Sequence, residues 1–314
     1  MLGLLVAMWM ADPNLHAIVA PMLLASLPAF LAGLAEDLSK RVGVTTRLTA
    51  TIASGALACG ITGVAMQDTG MPLLDHVLQF TAIAVVFTAF AVGGVTNAIN
   101  IIDGLNGLAA GAVSLMTLAI GVIALNLNDL PLANASFVVA SAAMGFGLVN
   151  WPLGKLFMGD GGAYLLGFCL AWLAVLLPMR HAEIHAWTTL LVCLYPVLEV
   201  GFSIWRRYKR QGHHPGQPDH VHLHHLIFRR VARRHFPSLS TTLQNSMASV
   251  ICWVLVATPA SLAVCFAQNT AVLAAINIGF VFAYAAAYAR LTQFTWCLSA
   301  ATMQPKNPKL VNGG

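Results

Sequence analysis

Leu78–Asn126 reads LQFTAIAVVFTAFAVGGVTNAINIIDGLNGLAAGAVSLMTLAIGVIALN. Asp103 is its single charged residue, and two apolar runs, about 78–97 and 105–126, flank a short polar joint. Each run is long enough to cross a bilayer as a helix, which takes about 20 apolar residues. The runs are continuous rather than alternating, which excludes a membrane strand barrel. The stretch therefore predicts two spanning helices joined through a polar turn.

The pattern extends in both directions. Predicted spans cover about 17–35, 47–66, 78–97, 105–126, 133–150, 162–179, 187–205, 247–267 and 271–292, after an incomplete first one that ends near Ala11. The expected fold is all-α, a polytopic transmembrane bundle of about ten spans forming one integral membrane domain over 1–314. The chain is 58% hydrophobic and 9% charged, against about 25% charged in soluble domains. No soluble domain is left over, and the longest polar piece is about 206–246. Met1–Met10 has no basic n-region and no cleavage-site pattern, so it makes a poor signal peptide. It reads as the remainder of a helix that begins upstream. The six cysteines are scattered through apolar segments without CxxC spacing and read as packing residues.

The basic residues orient the bundle. Alternating spans put Lys40, Arg41, Arg47, Lys155, Arg206, Arg207, Lys209, Arg210, Arg229, Arg230, Arg233, Arg234, Arg290, Lys306 and Lys309 on one side, and Arg180 alone on the other. The rich side is expected to be cytoplasmic. This placement, with no aromatic-rich basic face, also excludes a nucleic-acid partner for the net charge of +5. Glu36, Asp37, Asn97, Asn100, Asp103, Asn106, Asp160 and a histidine cluster all fall on that same side.

Four constellations carry chemistry there. Glu36-Asp37 closes a long apolar helix; the plain alternative is a solvated helix end balanced by Lys40 and Arg41. Asn97, Asn100, Asp103 and Asn106 recur every three residues and would share a face of a helical turn, an oxygen-rich set suited to a hard cation or its phosphate. Gly104 and Gly107 there permit close backbone approach; the alternative is a polar helix–helix seam. Asp160 precedes Gly161-Gly162 and an apolar helix, where backbone N–H groups attract phosphate, or where Asp160 is a plain N-cap. Pro218–Leu226 holds His220, His222, His224 and His225 beside Asp219, with Arg229 and Arg230 following. The tract suits zinc or an anionic diphosphate, but lacks the spacing of a structural zinc site. Glu199, an intramembrane acid, admits either a functional role or a buried pairing.

Together these motifs resemble the polyprenyl-phosphate N-acetylhexosamine-1-phosphate transferases, the family that includes the MurNAc-pentapeptide translocase and the GlcNAc-1-phosphate transferases. NAINIIDGLNGLAAG and FMGDGGAYLLG carry the likeness, which covers nearly the whole chain. The family's Asp-Asp pair matches Glu36-Asp37, with Glu departing from the first Asp. Its Asn-x-x-Asp-Gly matches Asn100–Gly104, its magnesium-binding Asp matches Asp160, and its histidine motif matches His222, His224 and His225 in the form of the GlcNAc branch. The family's first helix and its Pro-x-Pro-Arg-x-Gly-Gly loop have no counterpart here.

The resemblance implies transfer of an N-acetylhexosamine-1-phosphate, by default GlcNAc-1-phosphate, from a UDP-sugar to undecaprenyl phosphate with release of UMP. The place would be the inner face of a bacterial cytoplasmic membrane, as the first membrane step of a cell-surface polysaccharide. It implies Mg²⁺, with Mn²⁺ as a substitute, on Asn100 and Asp160, and Asp37 acting on the lipid phosphate with Glu36 assisting. Asp103 and Asn106 would contact nucleotide or support the metal; His222, His224, His225, Arg229 and Arg230 would hold diphosphate and sugar, with Asn97 and Gly104 also lining the substrate. Family members commonly pair, which makes a homodimer a candidate assembly. The rival is a membrane transporter with a cytoplasmic-side polar site, but that function calls for polar groups near mid-bilayer and on both sides. A His-rich metal-binding membrane protein is a third class.

Overall fold

The computed structural model describes residues 13–209 and 221–293; the expected first partial span, Asp219 and His220 lie outside them. Every regular element among the described residues is helical. They are α1 (Pro13–Ser39), α2 (Val44–Thr62), α3 (Pro72–Leu78), α4 (Thr81–Ile102), α5 (Leu108–Asn126), α6 (Leu130–Asn150), α7 (Gly159–Arg180), α8 (Ala186–Val192), α9 (Leu194–Lys209), α10 (Leu223–Ile227), a π turn (Phe228–Ala232), α11 (Arg233–His235), α12 (Thr241–Cys265) and α13 (Thr270–Thr292). Eight are long and apolar enough to cross a membrane, or nine if α8 and α9 together make one crossing.

Two expectations need correction. The predicted span over 187–205 is broken: α8 and α9 meet at 81°. Pro196 explains the position, because its ring clashes with the carbonyl four residues earlier, here Val192, the last residue of α8. The joint before the 78–97 span also contains a helix, α3, which starts at Pro72.

α7 is the central post. From Gly161 to Pro178 it is almost continuously buried, as expected of a helix that is apolar all round. α1, α4, α5 and α6 pack around it, α2 fills the gap between α1 and α4, and α12 lies against α5. α13 is peripheral and largely exposed. At one end, the C-termini of α1, α4 and α6 meet the N-termini of α2, α7 and α12 through side-chain hydrogen bonds. At the opposite end, Arg180, the one basic residue expected there, ends α7 on buried Asp129, the N-cap of α6, with His181 3.0 Å from the same carboxylate. Although burial opposes it, these hydrogen bonds and the guanidinium charge hold the Asp129 carboxyl below its ordinary value.

The α1–α7 contact depends on Gly33. A Cβ there would stand 2.6 Å from the Asp160 carbonyl carbon and the Gly161 nitrogen, and backbone atoms cannot rotate away as a side chain can. Asp37 lies one turn further along the same face of α1. Gly33→Ala should therefore destabilise the protein by about 1–3 kcal/mol, read as a lowered unfolding temperature in detergent. Gly94→Ala, where a Cβ would meet nothing within 4 Å, should leave that temperature unchanged or slightly raised.

Candidate active site

The end of the bundle that joins α1, α2, α4 and α7 is built around two carboxylates. Asp37 reaches across from α1 to the start of α7: Oδ1 accepts the Asp160 N–H at 3.0 Å and Oδ2 accepts the Gly161 N–H at 2.9 Å. The first N–H groups of a helix have no intrahelical partner and carry partial positive charge, so a carboxylate is well placed there. Asp160 is thus not the plain N-cap that its sequence context also allowed; Asp37 does that work from another helix. Lys40, one turn on, lies 3.7 Å from Asp37. Its neighbour Glu36 turns elsewhere, accepting the Val42 N–H at 2.8 Å and closing the turn into α2.

Asp160 is held from two sides. Asn100 Nδ2 donates to its Oδ1 at 3.0 Å, and Arg47 Nη1, from the first turn of α2, pairs with its Oδ2. Arg47 was legible in the sequence only as one basic residue among fifteen on that side. Asp103 ends α4 as its C-cap. Its pKa is pushed up to about 7, first by burial and then by the charges of Asp160 and Asp37. The centre is therefore rich in negative charge.

The four polar residues at three-residue spacing do not share one face. Three residues turn a helix by 300°, so each successive side chain falls about 60° further round. Asn100 faces Asp160. Asn97 instead donates to Thr51 Oγ1 at 2.6 Å and to the Gly93 carbonyl at 2.7 Å, a polar seam between α4 and α2. Asn106 lies beyond the helix end. Its backbone N–H donates to Asn245 Oδ1 at 2.8 Å and its Nδ2 to the Pro152 carbonyl at 3.4 Å, tying the turn to α12 and to the loop after α6.

The histidines come to the same end. A Cβ on Gly104 would stand 2.9 Å from His224 Nε2 and 3.0 Å from His225 Cε1, so glycine is what lets the turn after α4 touch the histidine segment. His222 and His224 stack with centroids 5.4 Å apart, and His225 tilts against His224 at 4.2 Å. The His225 pKa is lowered to about 3, first by burial and then by His224, His222 and Arg229. Arg229 is exposed and donates from Nε to the His225 carbonyl at 3.3 Å; Arg230 is half-buried. Arg206 pins the start of the segment, donating to the Val221 carbonyl at 3.1 Å and to Tyr288 Oη at 2.8 Å.

Glu199 resolves its two sequence readings into one. It is buried on α9 and paired with His222 Nδ1 at 3.2 Å and His224 Nδ1 at 3.3 Å. Among the described residues no group of three or more His, Cys, Asp and Glu side chains is placed to hold a metal unaided. Mg²⁺ needs less, because one or two carboxylates plus substrate phosphates and waters complete its shell. A buried acid lifted to about 7 by desolvation and then by two neighbouring carboxylates suits a divalent cation, as does Asn100, whose amide N–H faces Asp160 and leaves its carbonyl oxygen for a ligand.

The model of glycosyl transferase family 4 matches residues 19–178, about half of the chain, and so takes in Asp37, Arg47, the Asn97–Asn106 motif and Asp160. A probable undecaprenyl-phosphate N-acetylglucosaminyl 1-phosphate transferase of Bacillus subtilis (strain 168) is 32% identical over 168 residues, 53% of this chain and 46% of its own length. Undecaprenyl-phosphate alpha-N-acetylglucosaminyl 1-phosphate transferases of Yersinia pestis and Escherichia coli (strain K12) are 33% and 35% identical over 149 residues, 46% and 45% of this chain and 40% of theirs. The matches thus span less than half the length of each of these relatives. With the family model covering half the sequence and the motif residues converging at one end of a helical bundle, the chain belongs to glycosyl transferase family 4.

Proposed function

We propose that this protein transfers an N-acetylhexosamine-1-phosphate, GlcNAc-1-phosphate first among the candidates, from a UDP-sugar to undecaprenyl phosphate and releases UMP. The carrying observation is the meeting of Asp37, Asn100, Asp103 and Asp160 with the histidine segment, through Gly104, at one end of a membrane bundle. The names of the relatives support the acceptor and the sugar. The fifteen-to-one distribution of basic residues supports a cytoplasmic position for that end, in the inner membrane of a bacterium, where a lipid phosphate arrives from the bilayer and a nucleotide from the cytosol. The reaction would begin a cell-surface polysaccharide.

Phosphoryl transfer depends on positioning and on neutralising the charge that develops on the leaving nucleotide. Asp160 and Asn100 would hold a Mg²⁺ ion, with Asp103 next to them; bound there, the ion supplies electrostatic stabilisation to the diphosphate. Arg47 neutralises Asp160 and fixes its direction. Asp37 is assigned to orient or deprotonate the lipid phosphate, while Glu36, which the sequence suggested as its assistant, holds the turn into α2 beside it. Each carboxylate oxygen has two lone pairs, so accepting one backbone N–H apiece leaves Asp37 able to take a further proton or hydrogen bond. Arg229 and Arg230 would bind the diphosphate by charge-assisted hydrogen bonds.

Membranes carrying the protein, given radiolabelled UDP-GlcNAc and undecaprenyl phosphate, should form a labelled lipid, and EDTA should stop this until Mg²⁺ is restored. Asp160→Ala and Asp37→Asn should each lower transfer by about 100-fold or more. Near wild-type transfer in either variant removes that residue from the mechanism, and transfer that survives EDTA removes the metal.

Asp103 gives a second test. Its raised pKa means that between about 4 and 7 the folded state binds the proton and the unfolded state does not, so this group's contribution to stability falls as pH rises through that window. Asp103→Asn removes the penalty. In metal-free buffer the variant should unfold at a higher temperature than wild type at pH 8, with the gap closing as pH falls towards 4, while its transfer activity drops. A pH-independent gap would show that Asp103 is not ionised against its neighbours.

A further inference from the structure

Glu199 is 1% exposed, and three donors of fixed direction point at its carboxylate, which holds it ionised. Tyr195 Oη donates at 3.1 Å, the backbone N–H groups of Leu223 and His224 donate at 3.2 Å each, and the Nδ1 atoms of His222 and His224 lie at 3.2 and 3.3 Å. An ionised carboxylate has no proton to give. Each imidazole must therefore carry its proton on Nδ1, and in the neutral ring that leaves Nε2 as a bare lone pair. His224 Nε2 is buried and has no hydrogen-bond partner, and it faces the Cα of Gly104. A charged N–H buried there without an acceptor would cost far more than a bare lone pair.

We infer that Glu199 is a positioning residue that locks His222 and His224 as Nδ1–H tautomers and keeps His224 Nε2, now covered by Gly104, as the acceptor that a hydroxyl of the sugar nucleotide meets when the turn after α4 gives way to it. The choice of ligand rests on the transferase reading above; the tautomers do not. A lone pair repels a phosphate oxygen and accepts from a hydroxyl, so His224 takes a different role from the diphosphate clamp assigned to the whole histidine segment. Burial, with the Arg229 charge beside it, depresses the proton affinity of His225 as well. The anion is left to the arginines that follow. The same carboxylate caps α10 through the Leu223 and His224 N–H groups, so one side chain sets both where the histidines lie and which nitrogen each one offers.

The test is ¹⁵N NMR of the full chain labelled at histidine, with the two rings assigned from His222→Gln and His224→Gln spectra. Both rings should show a protonated Nδ1, and His224 an unprotonated Nε2. UDP-N-acetylglucosamine should move the His224 Nε2 signal as an accepted hydrogen bond does, while Mg²⁺ alone should not. Glu199→Gln offers one acceptor and one donor where there were two acceptors, so at least one ring should change tautomer. In the transfer assay its kcat should fall about 10–100-fold, with KM for the UDP-sugar changed less, and Glu199→Asp should recover part of both effects. A wild-type His224 protonated on Nε2 overturns the proposal, and that spectrum decides even if Glu199→Gln does not fold. So do unchanged tautomers in a Glu199→Gln variant that has lost activity, which would leave Glu199 as a helix cap only. A shift produced by Mg²⁺ alone assigns the lone pair to the cation and overturns the hydroxyl. Wild-type protein with the expected tautomers but no transfer would sink the transferase reading and leave the positioning intact.

Discussion

The hydrogen bonds from the start of α7 to Asp37 hold the site together. α7 is the most deeply buried helix, and its first N–H groups need acceptors that neither lipid nor its own turns provide. Asp37 supplies them from α1, and Gly33 lets α1 come close enough for it to do so. Once α1 and α7 are joined in this way, Asp160 in the first turn of α7 is aimed at the gap between α2 and α4. Arg47 and Asn100 then meet it from those two helices. The carboxylate centre is thus a consequence of how the central helix satisfies its N-terminus.

This arrangement places acids where they repel one another. Arg47 compensates Asp160 and Lys40 stands beside Asp37, but Asp103 is pushed to about 7, first by burial and then by the charges of Asp160 and Asp37. A fold selected for stability alone would put an amide at that position. Charge kept at a cost in this way is what an anionic substrate carrying a divalent cation would use, because the cation's arrival relieves the repulsion and the relief adds to binding.

The sequence made the fold legible because membrane physics simplifies it. Runs of about 20 apolar residues have few other uses, and within the described residues the predicted runs correspond to the helices. It did not reveal that one run bends by 81°, since prolines are tolerated within other spans of this chain, at Pro21, Pro28, Pro178 and Pro259. What distinguishes Pro196 is its position in the first turn after the break, which hydropathy does not report. At the site, residue types were legible and directions were not. A spacing of three looked like one face for Asn97, Asn100, Asp103 and Asn106, yet the helical angle sends Asn97 into the α2 seam and the end of α4 releases Asn106 into a turn. Arg47 was hidden among basic residues that all satisfy the same topological rule, and only its distance to Asp160 separates it from them.

The two halves of the site differ in how they meet this problem of direction. The carboxylate half is assembled from helix ends, so its geometry is set by packing between long, rigid elements. The histidine half sits on a segment between α9 and α12 and borrows its rigidity from side chains: Arg206 at its start, Glu199 beneath its rings, and the close approach of Gly104. A buried carboxylate that accepts from two backbone N–H groups and two rings restricts such a segment as a helix cap does, and it fixes proton positions as well as atom positions. Glu199 comes from the helix that begins at the Pro196 break. The 81° bend, the one departure from the expected bundle within a predicted span among the described residues, is therefore also the feature that carries the acid to the histidines.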